Sequence, residues 1–167
     1  MRVTSSRVVY ENRWMRVHED RGEGDRLYGW VEKPPSALIV PIHEDTVWLI
    51  EQFRHPVGQR FWEFPQGAFE DGHRTPEALA RQELAEETGL RAGVMEHLGR
   101  LHFAYGLSNQ SVDVFRACDL RPGEQALEPT EEGLVVGTFS VAEVDRMVHA
   151  NEIRDAASVA AWHLAIR

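Results

Sequence analysis

Residues 62–90 read WEFPQGAFEDGHRTPEALARQELAEETGL, and the reading of the chain turns on them. Thr75 and Pro76 open a helix: threonine offers a side-chain oxygen to the first free amides, and proline has no donor to leave unpaired at that position. Gly89 closes it, as the residue that adopts a left-handed conformation just past a helix end. Each helical residue turns by about 100°, so Glu83 and Glu87 stand one turn apart on one face, with Glu86 beside them. Ala80, Leu84 and Thr88 lie on a different side, leaving one face to pack and one to border a cleft. Like charges at this spacing weaken an isolated helix by about 0.2–0.5 kcal/mol per pair. A solvated acidic face is the plain account of three glutamates taken alone. A hard divalent cation held by their oxygens is the chemical one, since magnesium is bound by a few carboxylates together with substrate phosphates. Ahead of the helix, Pro65-Gln66-Gly67 and Asp71-Gly72 are turn signals, so the order is strand, irregular loop, acidic helix.

Upstream, residues 37–42 (ALIVPI) and 46–50 (TVWLI) read as buried strands, with Glu44-Asp45 forming a hairpin between them. Arg54 and Arg60 follow, each with a guanidinium fork suited to phosphate oxygens or to a carboxylate. Glu63 is a partner for an arginine or a ribose hydroxyl. Residues 7–10, 14–18 and 26–31 read as three short strands, with a turn at residues 22–25 and a break at Pro34-Pro35. Trp14 and Trp30 in these strands are either packing residues or a stacking surface for a nucleobase.

Downstream, residues 94–105 and 111–117 have strand character, with a loop at 106–110. Residues 121–133 are rich in Pro, Glu and Gly and are expected to form a solvated loop, with Glu128, Glu131 and Glu132 pointing to water rather than to the acidic helix. Residues 134–139 read as a strand. Ser140 and Glu143 make a capping box for a helix reaching about His149. Asp155 caps a last helix with Val159, Trp162 and Ile166 along one stripe. His149 and His163 lie outside any ligand pattern and are expected to be structural or exposed.

The 167 residues suit one main folded unit with a real core. A formal net charge of −9 argues against a nucleic-acid polymer as partner, and it requires that any diphosphate meet a local positive site made by a metal and arginines. Cys118 is the only cysteine, which excludes an intrachain disulfide and fits a reducing cytoplasm. No unbroken apolar run is long enough to span a membrane, and no internal repeat is present.

Gly67, Glu83-Leu84 and Glu86-Glu87-Thr88-Gly89-Leu90 resemble the Nudix box of hydrolases acting on nucleoside diphosphates linked to another group. That box runs glycine, five residues, glutamate, seven residues, then Arg-Glu-apolar-any-Glu-Glu-any-Gly-apolar. Gln82 stands where the pattern has arginine, with Arg81 adjacent. The loop is one residue longer, and His73-Arg74 replace the first glutamate. Gln52-Phe53-Arg54, followed by Glu63-Phe64-Pro65-Gln66-Gly67, resembles the ADP-ribose pyrophosphatase branch, whose usual Leu-Pro-Ala-Gly is here Phe-Pro-Gln-Gly.

The resemblance implies an α/β Nudix fold, with a mixed β-sheet packed between α-helices. It implies a strand region at residues 1–35 that pairs two subunits in a homodimer, and a Nudix hydrolase domain at 36–167. It implies Mg2+ or Mn2+ held by Glu83 and Glu87, with the Gln66 carbonyl as a further ligand. Glu86 would complete the catalytic set or orient water. Arg54 and Glu63 would hold substrate or the active-site loop, beside Trp30 as the stacking candidate. ADP-ribose or another nucleotide sugar is the implied substrate class. Gln110 falls where the branch often carries a glutamate, and an amide is no general base at neutral pH. The base is then Glu86, a loop glutamate or the metal-activated water itself. The rivals are a nucleoside triphosphate pyrophosphohydrolase and a non-catalytic nucleotide sensor, the latter because of His73, Arg74, Gln82 and Gln110.

Overall fold

The computed structural model describes residues 2–69, 74–127 and 131–166. The expectations at Glu128, at Asp71-Gly72 and at His73 fall outside these residues. Among the described residues there are two sheets. The smaller is antiparallel, in the order β1 (Val3–Asn12), β2 (Met15–Gly22), β3 (Leu27–Glu32). Asn12 makes the first turn by accepting from the backbone N–H groups of Trp14 and Met15 through Oδ1. Trp14 therefore sits in this turn and not in the second strand as expected; it is 50% exposed, with the Arg13 guanidinium 4.1 Å from its ring centroid.

The larger sheet contains β4 (Ser36–His43), β5 (Thr46–Arg54), β6 (Gln59–Glu63), β7 (Gln66–Ala68), β8 (Leu90–His102), β9 (Ser111–Pro122) and β10 (Val135–Ser140). Its main path runs β10-β5-β4-β9-β8. β4 pairs parallel with β9 and the other pairings are antiparallel, so the sheet is mixed. β4 and β5 pair only at Ile42↔Val47 and His43↔Thr46, next to their turn, and then part. β6 takes over the free edge of β5 and β7 that of β4. The chain from Glu63 to Gly67 is thereby wedged into the sheet, and this wedge positions the site.

Side chains alternate across a strand, and β4 shows it. Leu38 and Val40 face one core with Val47, Leu49, Val112 and Val114. Ala37 and Ile39 face the other with Phe115 and Ala117. The first core is covered by α2 (Val141–His149) and α3 (Ala156–Ala165), through Val144, Met147, Ala161 and Trp162. The second is covered by α1 (Pro76–Thr88), through Leu79, Ala80 and Leu84. Helices thus cover both faces of a mixed sheet, the layered arrangement expected. The helix ends follow the chain's local chemistry: Thr75, Ser140 and Asp155 each cap with a side-chain oxygen, and Gly89 sits at φ 70°. α3 differs from expectation at Ile166, while Val159 and Trp162 of the expected stripe pack against the core. Its buried face is Ala157, Ser158, Ala161, Trp162 and Ala165, while Ile166 is 44% exposed. The helix ends at Ala165, which leaves Ile166 outside that face. Among the described residues, no helix is long and apolar enough to cross a membrane.

Candidate active site

α1 carries its glutamates toward the wedge. Glu83 crosses over Gly67: a Cβ at position 67 would collide with the Glu83 carboxylate, so only glycine admits it there. Glu87 is 1% exposed and accepts from the backbone N–H of Gln66, at 2.9 Å. Glu131 arrives from the loop between β9 and β10. One oxygen from each of Glu83, Glu87 and Glu131 lies within 4.8 Å of the others. Among the described residues, no other set of three Asp, Glu, His or Cys side chains converges this closely. Burial, above all, pushes the Glu87 carboxyl well above the usual range; the charges of Glu83 and Glu131 push it the same way, against the Gln66 N–H.

The expectation that residues 121–133 form a solvated loop is corrected at Glu131. The reason is local. Gln125 donates its side-chain amide to the Glu87 carbonyl at 2.6 Å, and the N–H of Ala126 donates to the Glu86 carbonyl at 3.1 Å. These bonds satisfy carbonyls that a helix end leaves open and lay the loop along the end of α1. Gln110 is not the residue that joins the cluster. Its N–H donates to Ser108 Oγ and its carbonyl accepts from Phe103, so its backbone holds the β8–β9 loop in shape. Glu86 is also outside the convergent set: both of its oxygens accept from Gln82 Nε2, at 2.9 and 3.1 Å.

Glu63 is 2% exposed, at the end of β6. Arg54 donates to its Oε2 from Nε at 3.3 Å. Arg54 Nη2 lies 2.7 Å from Glu63 Oε1, an ion-pair distance, but off the hydrogen-bond axis, and among the described residues Oε1 has no aligned donor. Burial raises the Glu63 carboxyl above its ordinary value, with Arg54 opposing. The Gln66 side chain donates to Glu63 Oε2 and to Asp155 Oδ2, each at 3.3 Å. Asp155 in turn caps α3 through Ser158, whose Oγ accepts from the N–H of Phe64. Arg60 is taken up elsewhere, by Glu51 and Gly133. Trp30 lies in the small sheet. His18 stacks on one of its faces at 4.1 Å and 8°, and its Nε1 donates to Asp20.

The chain matches the NUDIX domain family over residues 32–162. The chain belongs to the Nudix family. Residues 1–21 also match the N-terminal domain of nucleoside diphosphate sugar hydrolases. An ADP-ribose pyrophosphatase of Mycobacterium tuberculosis is 32% identical over 125 residues, which is 74% of this chain and 60% of that protein. An ADP-sugar pyrophosphatase of Mus musculus is 34% identical over 128 residues, 67% of this chain and 58% of that protein. The matched stretches thus span a little under two thirds of these relatives. A crystal structure of an ADP compounds hydrolase superposes with a TM-score of 0.82 at 21% identity, covering 98% of this chain and 90% of that one, which establishes the fold.

The Nudix domain's acidic cluster fits a hard divalent cation on its own chemistry. Its donors are carboxylate oxygens, one of the three side chains is buried, and the charges of Glu83 and Glu131 act on Glu87 in the same sense as its burial. Glu131 is the residue that sequence reasoning assigned to a solvated loop. The available signal was the loop's density of glutamates close behind the box helix in three dimensions, which spacing along the chain does not convey. Two concavities lie apart from the cluster: one of about 430 Å³ beside Cys118 and Val141, and one of about 550 Å³ between α2 and α3.

Proposed function

We propose that this Nudix protein is a metal-dependent hydrolase of the phosphoanhydride in a nucleoside diphosphate linked to another group, ADP-ribose or a related nucleotide sugar. The observation that carries the proposal is the buried Glu87 carboxylate sharing a 4.8 Å cluster with Glu83 and Glu131. The resemblance to named ADP-ribose and ADP-sugar pyrophosphatases supports the substrate class.

Glu83 and Glu87, on one helix face, would hold Mg2+ or Mn2+, with Glu131 beside them and the Gln66 carbonyl as a further oxygen. The cation, when bound, polarises phosphate oxygen and lowers the pKa of the attacking water. Glu131 is the member of the cluster not fixed on the helix, and we assign it the proton of that water. Glu86, steadied by Gln82, orients water at the rim. Arg54 is braced by Glu63 and offers the remainder of its fork to the diphosphate. Trp30, stacked by His18 on one ring face, is the residue we assign to the base.

Val8, Val9, Tyr10, Trp14, Leu27 and Tyr28 are all about half exposed on the small sheet. They lie on both faces of the small sheet and at its first turn, and we assign this sheet to contact with a second copy of the chain, giving a homodimer across residues 1–35. Light scattering on the full chain and on Tyr10→Lys tests this: the variant is expected to halve the mass, and an unchanged mass rejects the surface.

The main test is turnover of a panel of nucleotide sugars, dinucleotides and nucleoside triphosphates with Mg2+ and Mn2+. Nucleotide sugars should yield a nucleoside monophosphate and a sugar phosphate. Glu87→Gln is expected to cost more than about a hundredfold, beyond the range typical of residues that merely support a ligand. Equal turnover by this variant rejects the metal role. Nucleotide binding without metal-dependent turnover would favour the sensor reading.

A further inference from the structure

The loop that delivers Glu131 is fastened at its far end as well. Gly133 takes φ 83°, a left-handed conformation that suits glycine, and the N–H of Leu134 closes a tight turn onto the Glu131 carbonyl at 2.9 Å. The Gly133 carbonyl accepts from Arg60 Nη2 at 2.8 Å. The same nitrogen donates to the Glu51 carbonyl at 3.0 Å, and Arg60 Nε donates to Glu51 Oε2 at 2.9 Å. Glu51 is paired with Val135 where β10 begins. Arg60 thus pins the turn after Glu131 to β5 at the point where the loop becomes strand. The first half of the loop is held separately, by Gln125 and Ala126 on the end of α1.

We propose that Arg60 is a positioning residue for the acidic cluster, acting through the Gly133 carbonyl to keep Glu131 turned toward Glu83 and Glu87. The inference rests on the metal-dependent reading above. It assigns Arg60 a role unlike that of Arg54, because its fork is spent on the protein's own carbonyls and carboxylate. Three donor contacts in one rigid plane fix a carbonyl as a lysine's point charge does not.

The experiment compares wild type, Arg60→Ala, Arg60→Lys, Glu131→Gln and the double variant Arg60→Ala/Glu131→Gln. The readouts are calorimetric titration with Mn2+ alone and kcat on the best panel substrate. Arg60→Ala is expected to shift the same readouts as Glu131→Gln, by about 10- to 100-fold, the usual range for residues that orient a metal site. Arg60→Lys should fall between it and wild type. The double variant should lose no more than Glu131→Gln alone, since the two act through one group. If Arg60→Ala does not fold, Arg60→Lys carries the same comparison, including the double variant. The inference is overturned if the Arg60 variants match wild type while Glu131→Gln is impaired, or if the two losses multiply. If wild type neither binds Mn2+ nor turns over any substrate, it is the metal-dependent reading that fails.

Discussion

Asp113 on β9 and Glu87 on α1 are 3% and 1% exposed, and their surroundings have opposite sign. Asp113 is answered by the protein. Arg100 donates to both of its oxygens, from Nε and from Nη2, and His97 Nε2 lies 2.9 Å from Oδ1. Glu87 has one backbone N–H and faces Glu83, Glu131 and, further off, Glu63. A buried carboxylate is tolerated when a cation answers it and is costly when none does. The first arrangement is complete within the chain. In the proposed reading the second is completed by a cation from outside, and this contrast is the reason for placing the site at the acidic cluster and not at Asp113.

The sharpest way to break the contrast is to add one methyl group at Gly67. Gly67→Ala places a Cβ where the Glu83 carboxylate now lies. Metal affinity should fall about 10- to 100-fold by calorimetry with Mn2+, with the fold retained by circular dichroism. Unchanged affinity would mean that Glu83 does not face the cation.

How far the chain announced this arrangement depends on the distance over which each contact acts. α1 was legible because its stops are local: Thr75, Pro76 and Gly89 each act within a turn of the helix. The β4–β5 hairpin was legible for the same reason. Glu83 and Glu87 were legible because one helix fixes their spacing. Glu131 was not, since it reaches Glu87 only after Gln125 and Ala126 have bonded to the end of α1, a contact that no periodicity encodes. The pairing of Asp113 with Arg100 depends on a register set across β8 and β9, with an irregularity between His97 and Gly99. Of the expected stripe on α3, Val159 and Trp162 pack against the core and Ile166 does not, because the helix ends at Ala165; Ala157, Ala161 and Ala165 complete the buried face.

The opposite side of the comparison is tested by Asp113→Asn. It removes the group that holds Arg100 and His97, both of which are half exposed, so the loss is moderate. About 1–2 kcal/mol is expected, the lower part of the range for hydrogen bonds to a charged group, because solvent screens both partners. At about 2–4 °C per kcal/mol for a chain of this size, the melting temperature should drop by about 2–8 °C. A neutral result would mean that the Asp113 pairing contributes nothing to stability.

The smallest effect is a pH dependence. The folded Glu87 carboxyl titrates above its unfolded value, so its contribution to metal-free stability is fully present below about pH 4.3 and is lost as pH rises through the folded value. Glu63, raised by burial, adds the same sign. Glu143 and Glu152, held low by Ser140 and Arg146, act in the opposite sense. The readout is therefore the difference in melting temperature between Glu87→Gln and metal-free wild type, which should widen in favour of the variant from pH 4 upward. A difference that does not change with pH would contradict the direction assigned to Glu87.

The most direct measurement is the melting temperature of wild type and Glu87→Gln at pH 7, each without metal and with saturating Mn2+. The account predicts that metal-free Glu87→Gln melts above metal-free wild type, because a buried, repelled charge has been removed. It also predicts that Mn2+ raises wild type and leaves the variant nearly unmoved, since only a site that binds the ion is stabilised by it. A variant that melts below metal-free wild type and gains as much from Mn2+ as wild type does would contradict it.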